Sequence, residues 1–291
     1  MTIRPTHLAA LLIATALAAG CDVHVGENGL SVDVAHGRAA DEWRRSYTVN
    51  KGGTVEVVNT NGAIVVDAAT GPQVEIVATR QVRAGSDEEA REFLKAVEIR
   101  EEVSPGRVAV RTTTARGPDF GRRSVNVEYH LKVPAGLHLS VKTENGGIGL
   151  HNVDGTIVAS TTNGGVRGTN LAGAVSARIV NGGISMDVAR VAGPIELESV
   201  NGGIHLEVPA DLNADVDAQA VNGGVSTDDA LPVNAADRSR TRISGKLNGG
   251  GVRLAAHTVN GGVRIGARSG STSDQSATAE SNEGGPVLIE R

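Results

Sequence analysis

The stretch Ala177–Met186, ARIVNGGISM, carries the pattern that decides the fold. Its Asn-Gly-Gly occurs seven times, beginning at Asn145, Asn163, Asn181, Asn201, Asn222, Asn248 and Asn260, with spacings of 18, 18, 20, 21, 26 and 12 residues. A period near 20 marks a repeat in which each unit is one supersecondary element that buries its apolar face against its neighbours. Aligned on the asparagine, the first unit gives Ile148, Leu150, Ile157 and Ala159, and the third gives Ile184, Met186, Ile195 and Leu197. Apolar residues two apart have strand period. Each unit therefore reads as two strands joined at two glycine-marked corners.

Asn and Gly are the residues that tolerate positive φ, and a coil that turns at the same point in every unit needs them there. Stacked coils would bring the asparagines into register, where their amides can bond to one another or to orphan backbone groups. The expected class is mainly β, a right-handed parallel β-helix or β-solenoid with one short helix in its N-terminal half. Asn-Gly between alternating strands is also a strong hairpin signal, so an antiparallel meander or barrel is the alternative.

An earlier copy, GGTVEVVNTNGAIVVDA, places Asn61-Gly62 between Val55, Val57 and Ile64, Val66. Asn61 thereby joins the seven others as a turn and ladder residue. The stretch SDEEAREFLKAVEI offers Ser86 as an N-cap with acids in the first turn, and Ala90, Phe93, Leu94 and Val97 share one face. That predicts a helix near 87–98, suited to cover the open end of a solenoid. The organisation expected is a signal segment over 1–20 and a tether over 21–45. A solenoid domain over 46–267 follows, divided into an N-terminal coil with its capping helix (46–135) and the repeats (136–267). A low-complexity tail covers 268–291.

Aromatic residues are 2% of the chain, and all five (Trp43, Tyr47, Phe93, Phe120, Tyr129) precede residue 130. The repeats must build a thin aliphatic core without rings. The formal net charge is −5, with no basic stripe, which argues against nucleic acid as a partner.

The N-terminus, MTIRPTHLAALLIATALAAGC, has Arg4, an apolar run from Leu8 to Ala19, small residues and then Cys21, the one cysteine of the chain. The run is too short to span a bilayer comfortably. It resembles a bacterial lipoprotein signal, in which the thiol after the small residues is alkylated by a lipid donor. Several acyl chains anchor stably where one would not. Cys21 is the expected lipidation site, and the expected location is the cell envelope, on the inner or outer membrane, facing the periplasm or the surface.

Together, the signal cysteine, VEVVNTNGAIVV, VEYHLKVPAGLHLSVKTENGGI and the recurring NGG[IV] resemble a bacterial adhesin family of unknown function, related to the head-GIN domains. The likeness covers roughly residues 45–267. It implies a β-solenoid exposed on the envelope and, by the family's name, adhesion; some relatives are associated with envelope-stress systems.

No Gly-x-Ser-x-Gly, no second thiol and no His-Glu-x-x-His is present. His130, His138, His151, His205 and His257 fall at different repeat phases, so no convergent metal set is expected from them. Asp187, Glu207 and Asp228 each lie six residues after their asparagine. If successive coils stack in chain order these acids form a column, with Glu196 near Asp215 and Glu198 near Asp217. Stacked like charges are unfavourable, and a hard cation such as Ca²⁺ would relieve them. The leading expectation is a non-enzymatic, lipid-anchored envelope scaffold that meets an envelope protein or glycan without a cofactor. A Ca²⁺-dependent polysaccharide-binding or polysaccharide-cleaving protein and an envelope-stress sensor are the alternatives.

Overall fold

The computed structural model describes residues 22–26, 29–33, 37–114 and 124–268. Residues 1–20, Cys21 and the tail from 269 onward lie outside the described residues, and with them the readings of signal, lipidation and loose C-terminus. Strands β1 (Asp22–Gly26) and β2 (Gly29–Asp33) form a hairpin of their own. Every later strand belongs to one hydrogen-bonded system, and the fold is mainly β.

Strand β3 (Gly37–Tyr47) leads to β4 (Thr54–Val58) and β5 (Ile64–Ala68), which flank Asn61 and make the first coil. The chain continues through β6 (Val74–Ala84), α1 (Asp87–Lys95), β7 (Val97–Ser104), β8 (Arg107–Thr114) and β9 (Ser124–Val133). The repeats then begin with β10 (Leu137–Asn145), β11 (Ile148–His151), β12 (Asp154–Asn163), β13 (Val166–Asn181), β14 (Ile184–Asn201) and β15 (Ile204–Val208). They end with β16 (Ala214–Asn222), β17 (Val225–Thr227), β18 (Val233–Arg238), β19 (Arg242–Leu247), β20 (Val252–Asn260) and β21 (Val263–Ala267).

The coils stack in parallel. Leu139 pairs with Ile157, Ile157 with Val175, and Val175 with Ile195 on the face before the asparagine corner; Ile148, Val166, Ile184 and Ile204 pair in turn on the face after it. Parallel strands cannot be joined by a tight hairpin, so the meander is excluded for the repeats. These columns are the core. Leu139, Ile157, Val175, Ile195, Ile148, Val166, Ile184 and Ile204 are all buried, while the alternate residues face out, as a period of two requires. The two tyrosines close the N-terminal end, Tyr129 fully buried and Tyr47 nearly so.

Chain order and stacking order part company at both ends. After β15 the chain skips one level and lays down β16 and β17. It then turns back through β18 and β19 and fills the skipped level with β20 and β21. Asn201 therefore pairs with Asn260, and Asn260 with Asn222. At the other end β8 and β9, later in sequence, stack outside β4 and β5. The outermost parallel strands are closed by antiparallel partners: β7 on β8, β6 on β9 with β3 beyond it, and β19 on β16 with β18 beyond it. Hairpins thus appear, but as end-pieces that cover open strand edges.

Helix α1 lies against β3, β6 and β7 with Ala90 and Leu94 buried, so it covers the N-terminal end. It stops at Lys95 rather than 98 because Val97 opens β7. The expected tether also needs correction. Residues 37–45 pair along β6 from Gly37↔Ala84 onward, so the domain begins at least nine residues before 46. At the far end Arg268, assigned to the tail, donates its backbone N–H to the Val208 carbonyl.

Candidate functional site: corner ladders and charged faces

Seven asparagines form an unbroken side-chain ladder. In stacking order they are Asn61, Asn145, Asn163, Asn181, Asn201, Asn260 and Asn222, each amide after Asn61 donating to the one before it at 2.7–2.9 Å. Asn248, expected in the same row, is not in it. It sits at φ 51° in a turn, and its Nδ2 donates to the carbonyls of Leu212 and Ala210. The 26- and 12-residue spacings on either side of it reflect that displacement.

The positive φ at the corner belongs to the glycine and not to the ladder asparagine. Gly182 has φ 141°, and a Cβ there would lie 2.1 Å from the Gly164 carbonyl oxygen. No side chain fits so close to the adjoining coil. Asparagines with positive φ stand elsewhere, at Asn152 (57°) and Asn170 (53°), on the second corner. These two make a short ladder of their own: Asn170 donates to Asn152 at 2.8 Å, and Arg268 donates to Asn170 at 2.9 Å. Each lies seven residues after its repeat asparagine, a spacing visible in the first two units.

Sequence reasoning also missed an inner polar row two residues before the ladder. Thr143, Thr161, Ser199 and Thr258 are buried, and their hydroxyls donate to the first-glycine carbonyl of the neighbouring coil at 2.8–3.3 Å. Asn59 holds the equivalent place in the first coil and donates to the Val127 carbonyl at 2.7 Å. The available signal was a polar residue recurring at an otherwise apolar phase.

The acidic column is broken. Asp187 does pair with Glu207, but Glu207 pairs next with Gly266, and Asp228 lies beyond that glycine. The inserted coil separates them, which chain order could not show. Arginines neutralise the acids: Arg268 donates to Asp187 at 2.6 Å and Arg264 to Asp228 at 3.1 Å, while Glu207 faces His205 at 3.2 Å. The same insertion separates the other two pairs. Glu196 and Asp217 both pair with Ala255, Glu198 pairs with His257, and Asp215 pairs with Arg253. Glu198 is held by Arg178 at 3.0 Å, and this hydrogen bond raises the guanidinium pKa further. Among the described residues no group of three His, Cys, Asp or Glu could hold a metal ion. A cation role for Asp187, Glu207 and Asp228 is therefore not proposed.

The histidines do not stack: His205 pairs with Ser185 and Arg264, His257 with Glu198 and Gln219. Beside the ladder, however, runs an apolar row. Val180, Val200, Val259 and Val221 precede consecutive ladder asparagines and are 40–58% exposed. With Arg178 and His257 they line an open groove of about 570 Å³ on the outer face.

The family model described as Toastrack DUF4097 matches residues 94–266, more than half of the chain. The chain belongs to the Toastrack DUF4097 family. The Toastrack match thus begins within α1 and runs through every asparagine corner except that of Asn61. No curated protein matches the sequence. Among solved structures, a "putative cell adhesion protein" of Clostridium sporogenes is 10% identical with a TM-score of 0.42, covering 79% of this chain and 100% of its own. A "putative adhesin" of Bacteroides fragilis is 10% identical with a TM-score of 0.28, covering 78% and 97%. A "putative lipid binding protein" of Parabacteroides distasonis is 10% identical with a TM-score of 0.24, covering 79% and 97%. The architecture of this Toastrack chain rests on the strand registers given above. Among its described residues no helix is long and apolar enough to cross a membrane.

Proposed function

We propose that the protein is a non-enzymatic, lipid-anchored scaffold of the bacterial cell envelope that acts by adhesive contact. Its coil is right-handed, the hand that parallel crossovers adopt. Cys21 carries the anchor, and the solenoid is the displayed part.

The observation that carries the reading is the row of four exposed valines. Stacking puts them about 4.8 Å apart on a surface whose other outward residues are polar, Ser160, Thr162 and Gln219 beside the Arg178–Glu198 ion pair. An exposed apolar stripe with a polar border is the mark of a contact surface. The ladder beside it fixes the spacing, so the surface is rigid before it meets a partner and little ordering cost remains to be met on binding. No Phe, Tyr or Trp lies on the repeats to stack on a sugar, which favours a protein partner over a glycan.

The test uses the full chain in a bacterium that processes lipoproteins. The protein is expected in the membrane fraction and Cys21→Ala in the soluble fraction; a variant that stays with the membrane overturns the anchor. Cells displaying the anchored protein are expected to attach to one another or to envelope-coated surfaces, and Val180→Ser, Val200→Ser and Val259→Ser together to reduce that attachment. Attachment unchanged by the three substitutions removes the valine row from the reading.

A further inference from the structure

We infer that the groove between α1 and the β3–β6 strand pair binds a phosphate group. Among the described residues β3 keeps its register with β6, and α1 packs against both strands. The groove, about 750 Å³, is lined by Arg38, Ala39, Ala40, Asp41 and Arg80 on the strand side and by Arg91, Leu94 and Lys95 on the helix side.

One of its cations is already neutralised. Arg80 donates to both Asp41 oxygens at 2.8 and 2.5 Å, and also to the Val97 carbonyl. That pair balances the Asp41 charge locally. Arg38, Arg91 and Lys95 have no acid within ion-pair distance among the described residues. The backbone of Arg38 is nevertheless fixed, since its N–H donates to the Asp87 carboxylate at 2.9 Å. Arg91 and Lys95 are four apart on α1 and so share one side of it.

Arg38, Arg91 and Lys95, none of them in an ion pair among the described residues, therefore line a space that they share with Ala39, Ala40, Leu94 and the Arg80–Asp41 pair. Bringing like charges together is unfavourable unless an anion lies among them. A carboxylate offers one charge and two oxygens. A phosphate offers up to two charges and more acceptor oxygens, and it matches the guanidinium fork. The charge set thus fits a phosphate better. Two sources share that chemistry, a soluble phosphate ester and the headgroup of an anionic phospholipid. The phospholipid source alone rests on the anchor at Cys21, which would hold this end of the solenoid near the bilayer.

The experiment uses the full chain carrying Cys21→Ser, so that no acyl chain contributes. Calorimetry with inorganic phosphate, and co-sedimentation with phosphatidylglycerol or phosphatidylcholine vesicles, supply the two arms. Binding to phosphate or to phosphatidylglycerol, lost by about tenfold or more in Arg38→Gln, Arg91→Gln, Lys95→Gln, supports the site. Sedimentation with phosphatidylglycerol alone names the headgroup; phosphate binding without sedimentation names a soluble ester. Binding in neither arm, or binding equal in the triple variant, overturns the proposal. Lys95→Gln alone, exposed and on the helix surface, serves if the triple variant fails to fold. Because the acyl chain is absent, failure here leaves the anchor reading untouched.

Discussion

At the scale of single residues, the repeat spends its asparagines on one continuous column. Asn181 both donates to Asn163 and accepts from Asn201, each at 2.9 Å, whereas Asn222 at the end of the row only donates, to Asn260. A hydrogen bond of this kind contributes about 0.5–1.5 kcal/mol net. Asn181→Ala is expected to cost about 1–3 kcal/mol and Asn222→Ala about half as much, read from denaturant unfolding. Equal losses at the two positions would show that the ladder is not what stabilises the corner. The ladder was legible in the sequence because the same tripeptide recurs. The inner hydroxyl row was not, because Ile179 and Ala220 interrupt it at two of the corners. Asn248 misled for the opposite reason: it has the right tripeptide in the wrong place.

At the scale of elements, the interior strands were legible because their period is two and their core is apolar. The helix was legible because it carries its own start signal. The Ser86 hydroxyl accepts from the Glu89 N–H, an N-cap bond, and the Glu89 carboxylate reaches back to accept from the N–H of Gly85, the residue before the cap. β3 lacks the alternating strand signal because GRAADEWRRSY has charge on both faces, and such charge belongs to an edge strand. The end coil is also tied across the core. Tyr129 on β9 shares a 2.6 Å hydrogen bond with Thr112 on β8. Burial pushes the Tyr129 phenol up to about 12, against the opposing effect of the Thr112 bond. Burial, and then the bond to Glu101, raise Tyr47 as well. An unfolded tyrosine ionises near pH 10. Between there and the raised values the folded chain holds protons that the unfolded chain has released, so stability falls as pH rises. The contribution is whole below about pH 10 and is lost as pH rises through the folded values. Tyr129→Phe should lower stability at neutral pH through the lost Thr112 bond, yet fall less steeply above about pH 10 in alkaline unfolding curves. A slope equal to that of the unmodified protein would place the titration elsewhere.

At the scale of the whole molecule, what no local pattern could reveal is the order of the coils. A repeat protein is close to a one-dimensional stack in which each unit contacts only its neighbours. If chain order were stacking order, the last coil could be removed and the rest would remain a complete stack. Here β20 and β21, the last strands among the described residues, lie between β14–β15 and β16–β17. Removing residues 249–291 takes a layer from the inside. Ile195, Leu197 and Ile204 would lose their partners on one side, and Val216 and Ala218 on the other. Such facing apolar rows cannot close the gap without a register change, since β16 reaches its level only through the loop that leaves β15. The truncated chain is therefore expected to lose cooperative unfolding across the C-terminal half, seen as a broad or absent transition by circular dichroism. A chain ending at Arg268 keeps the layer together with the Arg268–Asp187 and Arg268–Asn170 contacts, and it is expected to melt in one sharp transition. If the two truncations melt alike, the returning coil is not the element that locks the stack.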